Sequence, residues 1–227
     1  MSAITQGAGV LFSLLRWAAM LVLSWHVAGC ERVEPGLRIE GDCLVVEGEF
    51  WRTEYDQFER ELAAHSALRC VQLQASPGGS TVAALRMGEL IRSRGLRTVA
   101  RGACVSACAI AFLGGDPREL GASYAGQTTF LLFHGSYDRA SGQRDPVLSE
   151  AVAAWLALRT DGALPPELMA AATRAESEGA GLYVRSGSEP GVVTLCSSPP
   201  RASAAAPACR AIAGATAASL NLVRAPR

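Results

Sequence analysis

The stretch "CVQLQASPGGSTVAALRMGELIRSRGLRTVA", residues 70–100, changes its hydrophobic period twice. "CVQLQA" at 70–75 is a short apolar run with the residue types of a strand. It stops at Ser76-Pro77-Gly78-Gly79-Ser80, where a proline and paired glycines cannot continue a ladder. Ser80 stands where a helix N-cap belongs. Ala83, Met87, Leu90 and Ile91 then recur at i, i+4, i+7 and i+8, one buried stripe of a helix, and Gly95 is placed to end it. "LRTVA" at 96–100 is strand-like again. A strand, a crossover helix and a strand in so short a span imply two parallel strands joined right-handedly.

The same alternation extends in both directions. Upstream, "CLVVEGEF" at 43–50 reads as a strand, and "EYDQFERELAAHSAL" at 54–68 as a helix with Tyr55, Phe58 and Leu62 on one side. Downstream, "GACVSACAIAFLGG" at 102–115 turns into an apolar helix closed by Gly114 and Gly115, and "TTFLLFHG" at 128–135 reads as a strand ending at His134. This pattern predicts an α/β fold around a mainly parallel sheet. Two further helices, "PVLSEAVAAWLALR" and "PPELMAAATRA", precede a last strand, "VVTLC". The expected domain runs over 38–196, after a linker at 30–37. Residues 197–227, rich in alanine, proline and serine, read as a tail with at most one weak helix.

Charge excludes some function classes. The 227 residues carry 21 basic and 21 acidic side chains with no run of one sign, so nothing marks a nucleic-acid footprint. Every basic residue is arginine. A Walker loop needs a lysine, and the Gly78-Gly79 loop lacks dinucleotide-fingerprint spacing, so no nucleotide cofactor is expected.

Residues 1–29 read as an export signal or membrane anchor: Arg16, the apolar run "WAAMLVLSW", then small residues before Cys30. "VAGC" resembles the lipobox of bacterial lipoproteins. That resemblance implies lipidation of Cys30 and a position on the periplasmic side of a bacterial envelope, with Glu31 pointing to the outer membrane. An uncleaved helix over Gly9–Gly29 is the alternative, and both leave the folded part outside the cytoplasm. Without Cys30, six cysteines remain, an even number that suits disulfides in an exported chain. Cys43 and Cys70 would begin neighbouring parallel strands at one end of the sheet and can meet. Cys104 lies at the far end of its strand from Cys70, roughly 16 Å for five residues of strand, so it is expected to pair with Cys108. Cys196 then pairs with Cys209.

Open α/β sheets bind ligands beyond the carboxyl ends of their strands. The Ser76–Ser80 loop, Ser106 and His134 each fall at such an end. A serine hydroxyl needs a base and amide donors for the oxyanion. Of the three histidines, His26 is in the leader and His65 in an early helix, which leaves His134, and the absence of lysine excludes a Ser/Lys dyad. Read blandly, Ser106 is a small residue packed beside a disulfide and His134 a structural histidine. A zinc site on Cys104, Cys108 and His134 lacks a fourth ligand, so no metal is expected.

"SPGGS", a helix and a strand, "GACVSACA", then "LLFHG" with its histidine 28 residues after the serine together resemble the proteolytic subunit of the Clp protease, in the ClpP/crotonase superfamily, and within it an exported branch with a C-x-S-A-C block. The resemblance covers about residues 40 to 195 and implies a spiral of ββα units, Ser106 as nucleophile and His134 as general base. It also implies an oxyanion hole from Gly78, Gly79 and the amide of Ala107. It implies an acid after the later helices, where Glu178 and Glu176 stand, with Asp161 behind them. The cysteines flanking Ser106 depart from the family's usual pattern. The expected activity is ATP-independent hydrolysis of a peptide or protein substrate; a non-catalytic binding or assembly module of the same fold is the alternative. The family often oligomerises, which makes a homo-oligomer an expectation as well.

Overall fold

The computed structural model describes residues 36–175, 177, 179–186, 191–197 and 208–225. The leader, Cys30 and most of the expected linker lie outside the described residues, as do Glu176 and Glu178.

In chain order the described elements are β1 (Leu37–Glu40), β2 (Cys43–Glu47), α1 (Arg52–Ala64), β3 (Cys70–Ser76), α2 (Thr81–Ser93), β4 (Arg97–Val105), α3 (Ala107–Phe112), β5 (Arg118–Leu120), β6 (Phe130–Phe133), β7 (Ser136–Tyr137), β8 (Arg144–Asp145), α4 (Pro146–Arg159), α5 (Pro166–Thr173), β9 (Gly181–Arg185), β10 (Val192–Ser197) and β11 (Ala208–Thr216). One sheet takes the order β1-β2-β3-β4-β6-β9-β10-β11, with β5 also paired to β4. Its centre, β2-β3-β4-β6, is parallel, while β1 on one flank and β9, β10 and β11 on the other are antiparallel. The fold class is α/β, as the alternation of periods predicts.

Local chemistry sets the element ends. Ser80 Oγ accepts from the Ala83 N–H at 3.2 Å and caps α2. At its other end Gly95, at φ +62°, lets the Leu96 N–H reach the Ile91 carbonyl at 3.1 Å and its own N–H reach Arg92 at 2.9 Å. These two bonds close the last turn and satisfy carbonyls that the helix leaves open. The buried face of α2 is Ala83, Ala84, Met87, Gly88 and Ile91, with Leu90 at its margin. α3 is different: all six of its residues are buried, so it is held by packing on every side rather than along one stripe.

Three disulfides join Cys43 to Cys70, Cys104 to Cys108 and Cys196 to Cys209, the pairs expected from strand placement. Cys43 and Cys70 are directly opposite in the β2–β3 register. This is the chemistry of an oxidising compartment. Among the described residues no helix is long and apolar enough to cross a membrane.

The reading of the C-terminus as a tail needs correction over 208–225. β11 pairs with β10 over a register that includes Cys196 opposite Cys209. Beyond it Ala217, Leu220 and Leu222 enter the core, and Arg224 exchanges both backbone hydrogen bonds with Arg118, at 3.0 and 2.9 Å. Small alanines hide the strand from a composition-based reading, whereas the bridge and the backbone pairing hold it in place. Arg118 anchors this closure. It is fully buried, and its guanidinium donates to the carbonyls of Leu113 at 3.1 Å and Asn221 at 2.5 Å. Burial, and then the neighbouring Arg224 and Arg159 charges, push its pKa down to about 9. Arg118→Ala leaves the Asn221 carbonyl without its donor and the Leu113 carbonyl with Arg159 Nε alone, at 2.9 Å, beside a void, and is expected to lower unfolding free energy by about 3–5 kcal/mol, measured by urea denaturation under non-reducing conditions.

Candidate active site

Ser106 is the single residue between β4 and α3, and its backbone is held at φ 56°, ψ −118°. A residue with a Cβ is strained there, at a cost of about 1–3 kcal/mol, and glycine would fit without it. Several bonds hold the turn. The Ser106 N–H donates to the Leu132 carbonyl of β6 at 2.9 Å, its own carbonyl accepts from Ile110 at 3.1 Å, and the Cys104–Cys108 bridge spans it from strand to helix. Both cysteines are fully buried, whereas Ser106 keeps partial exposure. Its side chain caps no helical amide. Because the cysteines are bonded to each other, their thiolates are not available to a metal.

Gly78 and Gly79 bring the 76–80 loop against this turn. A Cβ on Gly78 would lie 2.8 Å from the Val105 carbonyl oxygen and 2.9 Å from Ser106 Cβ, and one on Gly79 would overlap the Phe50 carbonyl. Phe50 donates to Gly78 O at 3.0 Å and accepts from the Ser80 N–H at 2.9 Å. In that parallel pairing the intervening Gly79 gives no N–H to Phe50. The Gly78 N–H instead meets Ser76 Oγ at 3.2 Å. Ala107 is the first residue of α3, so its N–H has no acceptor within the helix.

His134 directly follows β6, two residues beyond the carbonyl that receives the Ser106 N–H. It is 5% exposed. Its Nδ1 lies 2.6 Å from the Gly135 carbonyl. A carbonyl only accepts, so Nδ1 carries the hydrogen and Nε2 is the basic nitrogen. The Tyr137 ring stands 5.3 Å from the imidazole, and the Tyr137 hydroxyl donates to the Ala175 carbonyl at 2.7 Å. Gly135 is itself pressed against the end of α5, where a Cβ would strike the Thr173 carbonyl and lie 2.7 Å from Ser149 Oγ.

The structure therefore brings the Gly78-Gly79 loop, Ser106, Ala107 and His134 to the carboxyl ends of β3, β4 and β6. It takes Asp161 elsewhere, into an ion pair with Arg224. Glu178, expected as the acid, falls outside the described residues. The Gly135 carbonyl and Tyr137 were not identifiable from sequence. The only signal for the carbonyl is the glycine after the histidine, which permits the tight packing on α5.

No family model and no curated protein sequence matches this chain. Among solved structures it is similar to the ClpP protease catalytic domain from Plasmodium falciparum, at 13% identity and a TM-score of 0.43, over 62% of this chain and 75% of that one. It is also similar to ClpP1 from Listeria monocytogenes, at 15% identity and a TM-score of 0.46, over 58% and 78% of the two chains.

Proposed function

We propose that the chain is a serine hydrolase acting on peptide substrates without ATP, matured outside the cytoplasm and held at the periplasmic side of an envelope by its N-terminal segment. The observation that carries the reading is the Ser106 backbone at φ 56°, ψ −118°. A strained non-glycine residue on a strand-to-helix turn makes sense when its hydroxyl is used. Peptide as the substrate, and the envelope location, follow the sequence resemblances of "GACVSACA" and "VAGC".

In the proposed cycle Ser106 Oγ attacks the scissile carbonyl carbon while His134 Nε2 takes its proton. The carbonyl oxygen becomes an oxyanion facing the N–H groups of Ala107 and Gly79. Collapse expels the amine, which leaves with the proton from Nε2, and an acyl-serine remains. Water then repeats the sequence in reverse, with Nε2 as base, to release the acid. Throughout, the Nδ1–H bond to Gly135 O fixes the useful tautomer, the task an orienting carboxylate performs in a triad.

The test is active-site labelling with a fluorophosphonate on the oxidised chain. Stoichiometric modification at Ser106 is expected, absent in Ser106→Ala and about 10²–10⁴-fold slower in His134→Ala. No labelling at Ser106 of a natively folded chain overturns the reading, and with it the enzyme gives way to the binding module.

A further inference from the structure

A cavity of about 530 Å³ opens between the C-terminal end of α5 and the β10–β11 hairpin, away from Ser106. Its lining is mostly small or apolar, including Ala171, Ala180, Leu195 and the bonded pair Cys196 and Cys209, with two arginines, Arg174 and Arg210. No acidic side chain lines it among the described residues. Arg210 is exposed and makes no ion pair among the described residues, and Arg174 has one long contact, 3.8 Å, to the exposed Glu150. Since the whole chain has a formal net charge of zero, this pair is a local feature and not part of a general basic surface.

Strand register connects this cavity to the candidate active site. Phe133, the residue before His134, is opposite Leu182, Leu182 is opposite Leu195, and Leu195 is opposite Arg210. Arg210 thus stands three strands over from Phe133, the buried neighbour of His134, its backbone roughly 14 Å across the sheet, a span that three or four extended residues cover. The other wall is nearer still: Arg174 follows Thr173, whose carbonyl packs on Gly135.

We propose that this cavity is a substrate subsite for a carboxylate, carried by an extended peptide three or four residues from the bond that Ser106 attacks. The inference rests on the hydrolase reading for the word substrate, but the subsite is defined by binding alone. Guanidiniums prefer planar carboxylates with bidentate geometry, and the apolar walls accept the aliphatic stem of an acidic residue or the last side chain of a peptide. The volume is that of a small-ligand site and exceeds one carboxylate. The carboxylate has two sources, an Asp or Glu side chain or a peptide C-terminus.

The experiment measures fluorescence anisotropy of fluorescein-labelled hexapeptides on the full oxidised chain bearing Ser106→Ala, which removes turnover. One series has an amidated C-terminus and Glu, Gln or Lys at the last position; a fourth peptide is the Gln sequence with a free C-terminal acid. The Glu amide, the free acid, or both are expected to bind about tenfold more tightly than the Gln amide, and which of them does identifies the source. Arg210→Glu is expected to abolish that preference and favour Lys, whereas Arg60→Glu, an equal change of charge on exposed α1, is expected to leave it intact. Thermal melts of both variants confirm folding. Equal binding of all four peptides, no binding of any, or the same loss in Arg60→Glu overturns the proposal. Fluorophosphonate labelling of Ser106 in the unsubstituted chain is scored separately, so the hydrolase reading and the subsite fail independently.

Discussion

Ser106→Gly is expected to abolish fluorophosphonate labelling and hydrolysis while making the protein more stable. The two effects share one cause. At φ 56°, ψ −118° a Cβ is strained, and its removal relieves about 1–3 kcal/mol, partly offset by the larger entropy of an unfolded glycine. Removal of the hydroxyl leaves no nucleophile, and the rate falls by about 10⁴-fold or more, to what binding and the oxyanion donors supply alone. Ser106→Ala loses the same activity without the conformational relief, so the pair separates strain from chemistry. Chemical denaturation of the two variants beside the parent, all oxidised, measures the difference. A glycine variant no more stable than the alanine variant removes the strain argument, and the hydrolase reading then loses its principal support.

Gly78→Ala is expected to damage both the fold and the site. The added methyl would sit 2.8 Å from the Val105 carbonyl and 2.9 Å from Ser106 Cβ, and Gly78 already lies at φ 110°, where a side chain is strained whatever the space. The neighbour on one side is backbone, which cannot yield as a flexible side chain does. The loop must then lift, taking the Gly79 N–H with it. Loss of an oxyanion donor costs about 10²–10³-fold in rate, and overpacking with strain costs about 1–3 kcal/mol in stability. Labelling kinetics and urea melts on the same preparation read both. Loss of stability with an unchanged labelling rate would show that the loop supports Ser106 without taking part in the chemistry.

How much of this was legible beforehand depends on what each residue answers to. β2, β3, α2 and β4 follow from periodicity because each buries one consistent set of side chains, and Ser80 and Gly95 mark the ends of α2 through local bonds. The pairing of Cys43 with Cys70 follows from two strands starting at the same end of the sheet. The backbone of Ser106 does not follow from sequence: nothing in "CVSAC" says that a serine adopts a conformation suited to glycine, because bonds to Leu132 and Ile110 and a disulfide impose it. The contact of His134 Nδ1 with the Gly135 carbonyl is hidden for the same reason, since its position depends on the packing of α5. β9 and β11 escaped because "GLYVR" is short and ends in an arginine, and alanine-rich "ACRAIAGAT" has little amphipathic contrast, so neither shows a clear strand period.

The disulfides join first to second, third to fourth and fifth to sixth cysteine of the described chain, with separations of 27, 4 and 13 residues. Of fifteen arrangements, this is the one reached when each thiol reacts with the next to arrive. Cys30, which precedes these six thiols, lies outside the described residues; were the six to meet an oxidant in chain order, each bridge could close before the next pair arrived.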